Sequence, residues 1–257
     1  MAAGEKRLRM KTSDLPGFFL RSLFVMSSLN FRRMQNLGFA YAILPLTRNM
    51  DENKERIVAF LQRQLEYFNT HPYLSGAVLG ATIRLAEEED AVAPTDQTAT
   101  TKLKKSLMGP YAAIGDNFFW GSLRPLAGII AAILAYEGFI WAPFVFLLIF
   151  DPLHLWIRWQ GFLEGYRQGW RGIAYIQSWK LPLLAHYLRW VSLIILGVMT
   201  GLLTADIHLF PGQFWLRQGL NIAVLAAVLL VYIAVRLGLS PLLIFYVLTA
   251  VCLVVMI

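Results

Sequence analysis

One cysteine, Cys252, stands in 257 residues. A disulfide within one chain and a thiolate metal cluster are therefore excluded. Cys252 lies in an apolar run, where a lone thiol packs as a small hydrophobe. Histidine is almost as scarce: His71, His154, His186 and His208 are scattered, without ligand spacing. No metal site and no cofactor are expected. The phosphate-cradling loop that ends in Lys-Ser/Thr, the Gly-x-Ser-x-Gly elbow and the His-Glu-x-x-His helix are all missing. A membrane-embedded enzyme would need a catalytic dyad or metal cluster, and none can be found. The first dozen residues are polar and basic with no apolar core, so they do not read as a signal peptide. The net charge of +7 comes without a dense basic patch interleaved with stacking aromatics, which argues against nucleic acid.

What the chain does have is apolar surface. It is 57% hydrophobic and 15% charged, against about 25% charged in soluble domains. The excess lies after residue 124. The class is an all-α integral membrane protein, with amphipathic and re-entrant helices first and several transmembrane helices with broken elements after them. Four regions follow. Residues 1–107 read as cytoplasm-facing amphipathic and half-membrane helices. Residues 108–158 read as a re-entrant loop and a helical hairpin. Residues 159–189 read as a cytoplasmic loop carrying arginines and tryptophans. Residues 190–257 read as three C-terminal spans.

Within the first region, 14–34 has a basic amphipathic pattern that suits the membrane interface. Residues 34–46 are apolar but too short to span. Residues 51–68 place Ile57, Phe60, Leu61, Leu65 and Phe68 on one stripe. The helix from 73 to 88 carries Gly76 and Gly80 at the spacing that permits close helix contact. The acidic run 87–90 reads as a solvated helix end, and 91–101 as a polar linker.

The stretch 108–125 is too apolar for a surface loop. Gly109, Gly115, Gly121, Pro110 and Pro125 make a continuous helix unexpected, and a loop lining a cavity fits. Asp116 is its one acid. After it, Tyr136, Glu137 and Gly138 interrupt an apolar block that resumes at 139–156. Further spans are expected at 190–204, 220–235 and 241–257. The bias of Lys and Arg places the N-terminus in the cytoplasm and the C-terminus outside.

The polar residues left beside flexible backbone are Gln35, Asn36, Asn69, His71, Asp116 and Asn117, with Trp120 near them. Amides, an acid and aromatics suit a sugar, because hydroxyl networks need bidentate partners and a pyranose face stacks on rings. From spacing alone Gln35 and Asn36 read more readily as helix caps than as solute ligands. Nor do these residue types separate a sugar from an amino acid.

Three long motifs add more. Arg33-Met-Gln-Asn-Leu-Gly-Phe-Ala-Tyr-Ala-Ile-Leu-Pro45, Glu66-Tyr-Phe-Asn-Thr-His-Pro72 and Leu107-Met-Gly-Pro-Tyr-Ala-Ala-Ile-Gly-Asp-Asn-Phe-Phe-Trp-Gly-Ser-Leu-Arg-Pro125 stand in this order. They resemble the IID component of the mannose/fructose/sorbose family of bacterial phosphotransferase systems. The resemblance is close over residues 12 to about 170 and loose beyond. It implies a transport subunit in the bacterial inner membrane, joined to a IIC subunit in a trimer of heterodimers. A hexose or amino sugar is then phosphorylated by a separate IIB protein charged through IIA. The implied sugar-pathway residues are Gln35, Asn36, Asn69, Thr70, His71, Asp116 and Asn117. Gly109, Gly115, Gly121, Arg124 and Pro125 shape the loop, Gly115 and Gly121 as hinges and Arg124 as an anchor or a partner of Asp116. One departure stands out: the family's longer segment after Asp206 is short here. A non-transporting scaffold of the same fold is the alternative.

Overall fold

A computed structural model describes residues 10–50, 54–92, 98–206, 226–227 and 229–256. Among them every regular element is helical, and strand pairing is limited to two isolated bridges, Asn30 with Met34 and Met34 with Phe68. Among the described residues three helices are long and apolar enough to cross a membrane: Ala99–Tyr136, Ala142–Gln168 and Tyr175–Thr200.

The first compact unit covers Met1–Leu196. It contains α1 (Leu15–Ser22), α2 (Asn36–Ile43), α3 (Lys54–Gln64), α4 (Ser75–Val92), α5 (Thr98–Gly115), a π-helical stretch (Asp116–Leu123), α6 (Arg124–Tyr136), α7 (Ala142–Gln168) and α8 (Gly172–Ser178), and α9 (Leu181–Asp206) begins in it. Short 3-10 turns occupy Thr12–Asp14, Leu44–Asn49 and Gly169–Arg171.

Helix α4 sits at the centre, packed on α7 above all and also on α5, α1 and α2. Val78, Leu79, Thr82 and Ile83 are fully buried along it. The spacing of Gly76 and Gly80 predicts this close approach, and α7 answers with Gly161 and Gly165. A Cβ on Gly80 would strike the Phe162 carbonyl oxygen, and one on Gly165 would strike the Ala77 carbonyl oxygen. The two backbones therefore touch, and small residues are what let them.

Three cations, buried Lys104 and Arg158 and exposed Arg33, cap helix C-termini. Lys104 Nζ donates to the Arg63 carbonyl at 3.1 Å and to Gln64 Oε1 at 3.3 Å, and lies 4.8 Å from the Phe39 ring centre. Arg33 Nη1 and Asn36 Nδ2 donate to the Leu65 carbonyl at 3.1 and 2.8 Å. Together they satisfy carbonyls at and just beyond the C-terminus of α3, and each cation also meets the negative end of the helix dipole. Arg158 does the same for α1, donating from Nη2 to the Ser22 carbonyl. The sequence reading puts Arg158 at the edge of a cytoplasmic loop; here it is 4% exposed inside the bundle. Two members of the acidic run are also structural. Glu89 accepts from the Thr100 amide at 3.0 Å near the start of α5, and Glu87 accepts from the Met10 amide at 2.6 Å and the Tyr166 hydroxyl at 3.3 Å.

Three stretches differ from expectation. Where the sequence suggests a loop over 108–125, the chain is helical throughout, from α5 through the π stretch into α6. In the π register the Arg124 amide reaches back five residues to the Phe119 carbonyl. That local widening gives Pro125 room where a tight turn would clash. The amphipathic stretch 14–34 is helical only to Ser22 and then turns, Met34 taking φ 55°. Tertiary contact overrides periodicity there, because Gly38 brings α2 against the backbone of Val25. The supposed loop 159–189 is mostly helix, broken near Lys180 at φ 49°. The interruption at 136–138 is a genuine turn: Gly138 takes φ 79° and the Phe139 amide reaches the Leu134 carbonyl at 2.8 Å.

The second unit, Gly197–Ile257, contains a helix α10 (229–236) and α11 (Pro241–Met256). Gly238 at φ 83° turns the chain between them. The shortened segment after Asp206 and the start of the span expected at 220–235 lie outside the described residues.

Candidate functional site

The turn between α3 and α4 gathers three of the sequence motifs. Gln35, at the N-terminus of α2, exchanges two hydrogen bonds with Thr70. Its Nε2 donates to the Thr70 carbonyl at 2.7 Å, and its Oε1 accepts from the Thr70 amide at 3.1 Å. Thr70 Oγ1 donates to the Met108 carbonyl at 3.1 Å, which ties the turn to α5. Asn36 is held between Asn30 Nδ2, at 2.8 Å, and the Leu65 carbonyl. Gln35, Asn36 and Thr70 thus spend their polar atoms inside the protein.

His71 is treated differently. It is 1% exposed, and its ring lies against the bare Cα of Gly115, where an added Cβ would collide with the imidazole Cβ and Cγ. Space is what Gly115 supplies. The ring stacks on Phe119 at 5.1 Å and 14°, with Trp120 at 4.7 Å and Tyr73 at 4.9 Å completing an aromatic box. Nδ1 accepts from the Tyr73 amide at 3.3 Å. The neutral ring therefore carries its proton on Nε2, and that N–H is buried with no hydrogen-bond partner among the described residues. Buried donors left unpaired are rare in folded proteins.

Burial pushes the His71 imidazole down to about 3, and the charges of Arg158 and His154 push in the same direction. The ring is neutral at physiological pH. The unfolded chain binds its proton near pH 6.5, so His71 favours folding fully above that value and ever less as the pH falls toward 3. Thermal stability in detergent is expected to fall as the pH is lowered from 6.5 to 4. His71→Gln should flatten that slope, by at most about 1.4 kcal/mol per pH unit.

The other candidates lie around this box. The Asn69 carboxamide is half-buried and makes no hydrogen bond among the described residues; only its backbone amide does, to Met108 Sδ at 3.4 Å. Asp116 is exposed on the π stretch and Asn117 half-buried, with the Asn117 carbonyl accepting from Ser122 Oγ at 2.8 Å. Arg124 and Pro125 are exposed two turns on. Eight helical residues separate Asp116 from Arg124 by roughly 12 Å along the axis, and no ion pair joins them among the described residues. Gly109 and Gly121 sit on the exposed face, and a Cβ on Gly109 meets nothing.

The sequence reading does not single out Tyr73, Phe119 or Phe150. Tyr73 lies face to face with His154 at 4.3 Å, and His154 Nδ1 is 3.5 Å from Asp151 Oδ1. The triplet Phe118-Phe119-Trp120 is visible in the sequence, but the π register decides which rings turn toward His71. No group of three or more metal-ligating side chains occurs among the described residues. The arrangement offers an unpaired imidazole N–H, a free carboxamide and a carboxylate beside aromatic faces. These can hydrogen-bond and stack, and none is an activated nucleophile.

The family model for the mannose/fructose/sorbose IID component of phosphotransferase systems matches residues 9–257. A mannose-specific EIID component of Escherichia coli K12 is 39% identical over 166 residues, 64% of this chain and 58% of the relative's own length. A sorbose-specific EIID component of Klebsiella pneumoniae is 34% identical, over 74% of this chain and 70% of the relative. The fructose permease IID component of Bacillus subtilis is 31% identical, over 76% and 71%. Among solved structures, one described only as a membrane protein superposes with TM-score 0.76 at 28% identity, over 96% of both chains. A chain of the mannose transporter ManYZ, in complex with microcin E492, superposes with TM-score 0.60 at 29% identity, again over 96% of both.

Proposed function

The chain belongs to the mannose/fructose/sorbose family of phosphotransferase IID components, and from that we propose that it is the IID membrane subunit of a phosphoenolpyruvate-dependent sugar permease. It forms the translocation pathway with a IIC subunit, three such heterodimers making the complex. A hexose or amino sugar crosses and is phosphorylated on the cytoplasmic side by a separate IIB protein charged through IIA. The subunit lies in the bacterial inner membrane, N-terminus in the cytoplasm and C-terminus outside.

The observation that carries this reading is the family match along almost the whole chain. The geometry agrees with it. A neutral, hydroxyl-rich solute suits the Asn69 carboxamide and the His71 N–H, and a pyranose face suits Trp120. Gln35, Asn36 and Thr70 shape the path from behind, while Asp116 and Asn117 face outward toward IIC or the sugar. Likeness to a mannose transporter chain favours transport over a silent scaffold.

The test is co-expression with IIC and IIB proteins of the same family, measuring phosphoenolpyruvate-dependent phosphorylation of hexoses and amino sugars. At least one sugar should be phosphorylated only when this chain is present. A stable IIC complex that phosphorylates none would assign the scaffold role instead.

A further inference from the structure

Where α1 meets the 3-10 turn Leu44–Asn49, a cleft of about 530 Å3 opens, lined among others by Lys11, Asp14, Gly17, Arg21, Arg48 and Asn49. Three cations face one acid there. None of the three is in an ion pair among the described residues. The Arg21 guanidinium lies over the Tyr41 ring at 4.7 Å, and Phe24 meets Tyr41 edge-on at 6.4 Å. Beside the cleft the surface turns apolar: Leu20, Phe24, Tyr41 and Leu44 are exposed by 57%, 56%, 45% and 43%. Unpaired cations bordering exposed apolar rings are the pattern of a protein surface at the headgroup level of a bilayer.

We infer that this cleft holds the phosphate headgroup of an anionic phospholipid, with the acyl chains running over Leu20, Phe24, Tyr41 and Leu44. The cations supply the charge, and the adjoining apolar strip favours a lipid over a free phosphate. Gly17 lines the cleft, and a Cβ there meets nothing within 4 Å, so a larger side chain at this position has room to enter it. The inference needs the membrane setting but neither the sugar pathway nor the IIC partner.

The full chain, in the complex it forms, is delipidated in detergent and titrated with phosphatidylglycerol or phosphatidylcholine, bound lipid being counted by native mass spectrometry. Wild type should retain phosphatidylglycerol selectively. Each cation removed in the series Lys11→Gln, Arg21→Gln, Arg48→Gln should lower that retention about fivefold. Gly17→Leu, which fills the cleft and keeps every charge, should lower it too, and it preserves the test if the triple variant folds poorly. The control Arg32→Gln/Lys54→Gln/Arg171→Gln removes equal charge from exposed positions elsewhere and should change nothing. Equal loss in the control triple overturns the inference, as does full retention in both cleft variants. Displacement of the lipid by inorganic phosphate at millimolar concentration also overturns it, marking a simple anion site.

Discussion

Alanine at Gly115 is expected to lower sugar phosphorylation by the assembled permease about tenfold or more. The new methyl would occupy the space of the His71 ring stem, and the ring is clamped on its other sides by Phe119, Trp120 and Tyr73. Overpacking of this kind costs about 1–3 kcal/mol, and a shift of even about 1 Å in a positioned group can cost orders of magnitude in rate. Gly109→Ala, six residues away in the same helix with open space around it, is the control and should be neutral or slightly stabilising. The double variant Gly115→Ala/His71→Gly removes the clash, because the His71 Cβ as well as its Cγ lies against the new methyl. It should recover thermal stability in detergent while phosphorylation stays low. Recovery of both would mean that His71 matters only as packing.

Gly80→Ala and Gly165→Ala are expected to be worse for the fold. At Gly115 the obstacle is a side chain, but at these two it is the backbone of the facing helix, the carbonyl oxygens of Phe162 and Ala77. Relief requires moving α4 and α7 apart along their whole contact. A loss of about 3 kcal/mol or more is expected for each, at or above the upper end of overpacking effects. It should be read as a fall in thermal midpoint and in the yield of monodisperse protein. Gly161→Ala meets nothing closer than the Ala77 methyl at 3.4 Å, an ordinary contact, and Gly128→Ala meets nothing, so both should stay near wild type. If all four behave alike, the helices do not approach as closely as described.

What the sequence reveals and what it hides divides by the range of the interaction. The stripe of α3, the small-residue spacing of α4 and the turn at Gly138 are local, and their periodicity or backbone demands show in the letters. The stretch 108–125 misleads because glycine and proline speak against helix in water, whereas in a bilayer a helix is itself the main way to satisfy the backbone. Arg158 misleads because a cation among tryptophans resembles a membrane-edge residue, and its role at the end of α1 depends on a contact 136 residues away. The candidate site follows the same division. The residue types around the turn 69–73 are visible, and the motif resemblance gives them a family. That Gln35 and Thr70 satisfy each other, while the His71 N–H is left unpaired, is a tertiary fact. A lone sequence leaves Gln35 and Asn69 looking alike.

The central claim is that polar groups left free at this turn meet the sugar. It is tested most directly by phosphoenolpyruvate-dependent uptake into vesicles carrying the complex with Asn69→Ala or Asp116→Asn. Loss of one neutral hydrogen bond is worth about 0.5–1.5 kcal/mol, so Asn69→Ala should cut uptake about 2- to 13-fold with the IIC complex intact. Asp116→Asn should reduce it less. Uptake at the wild-type rate in both variants, with sugar affinity unchanged, would contradict the account.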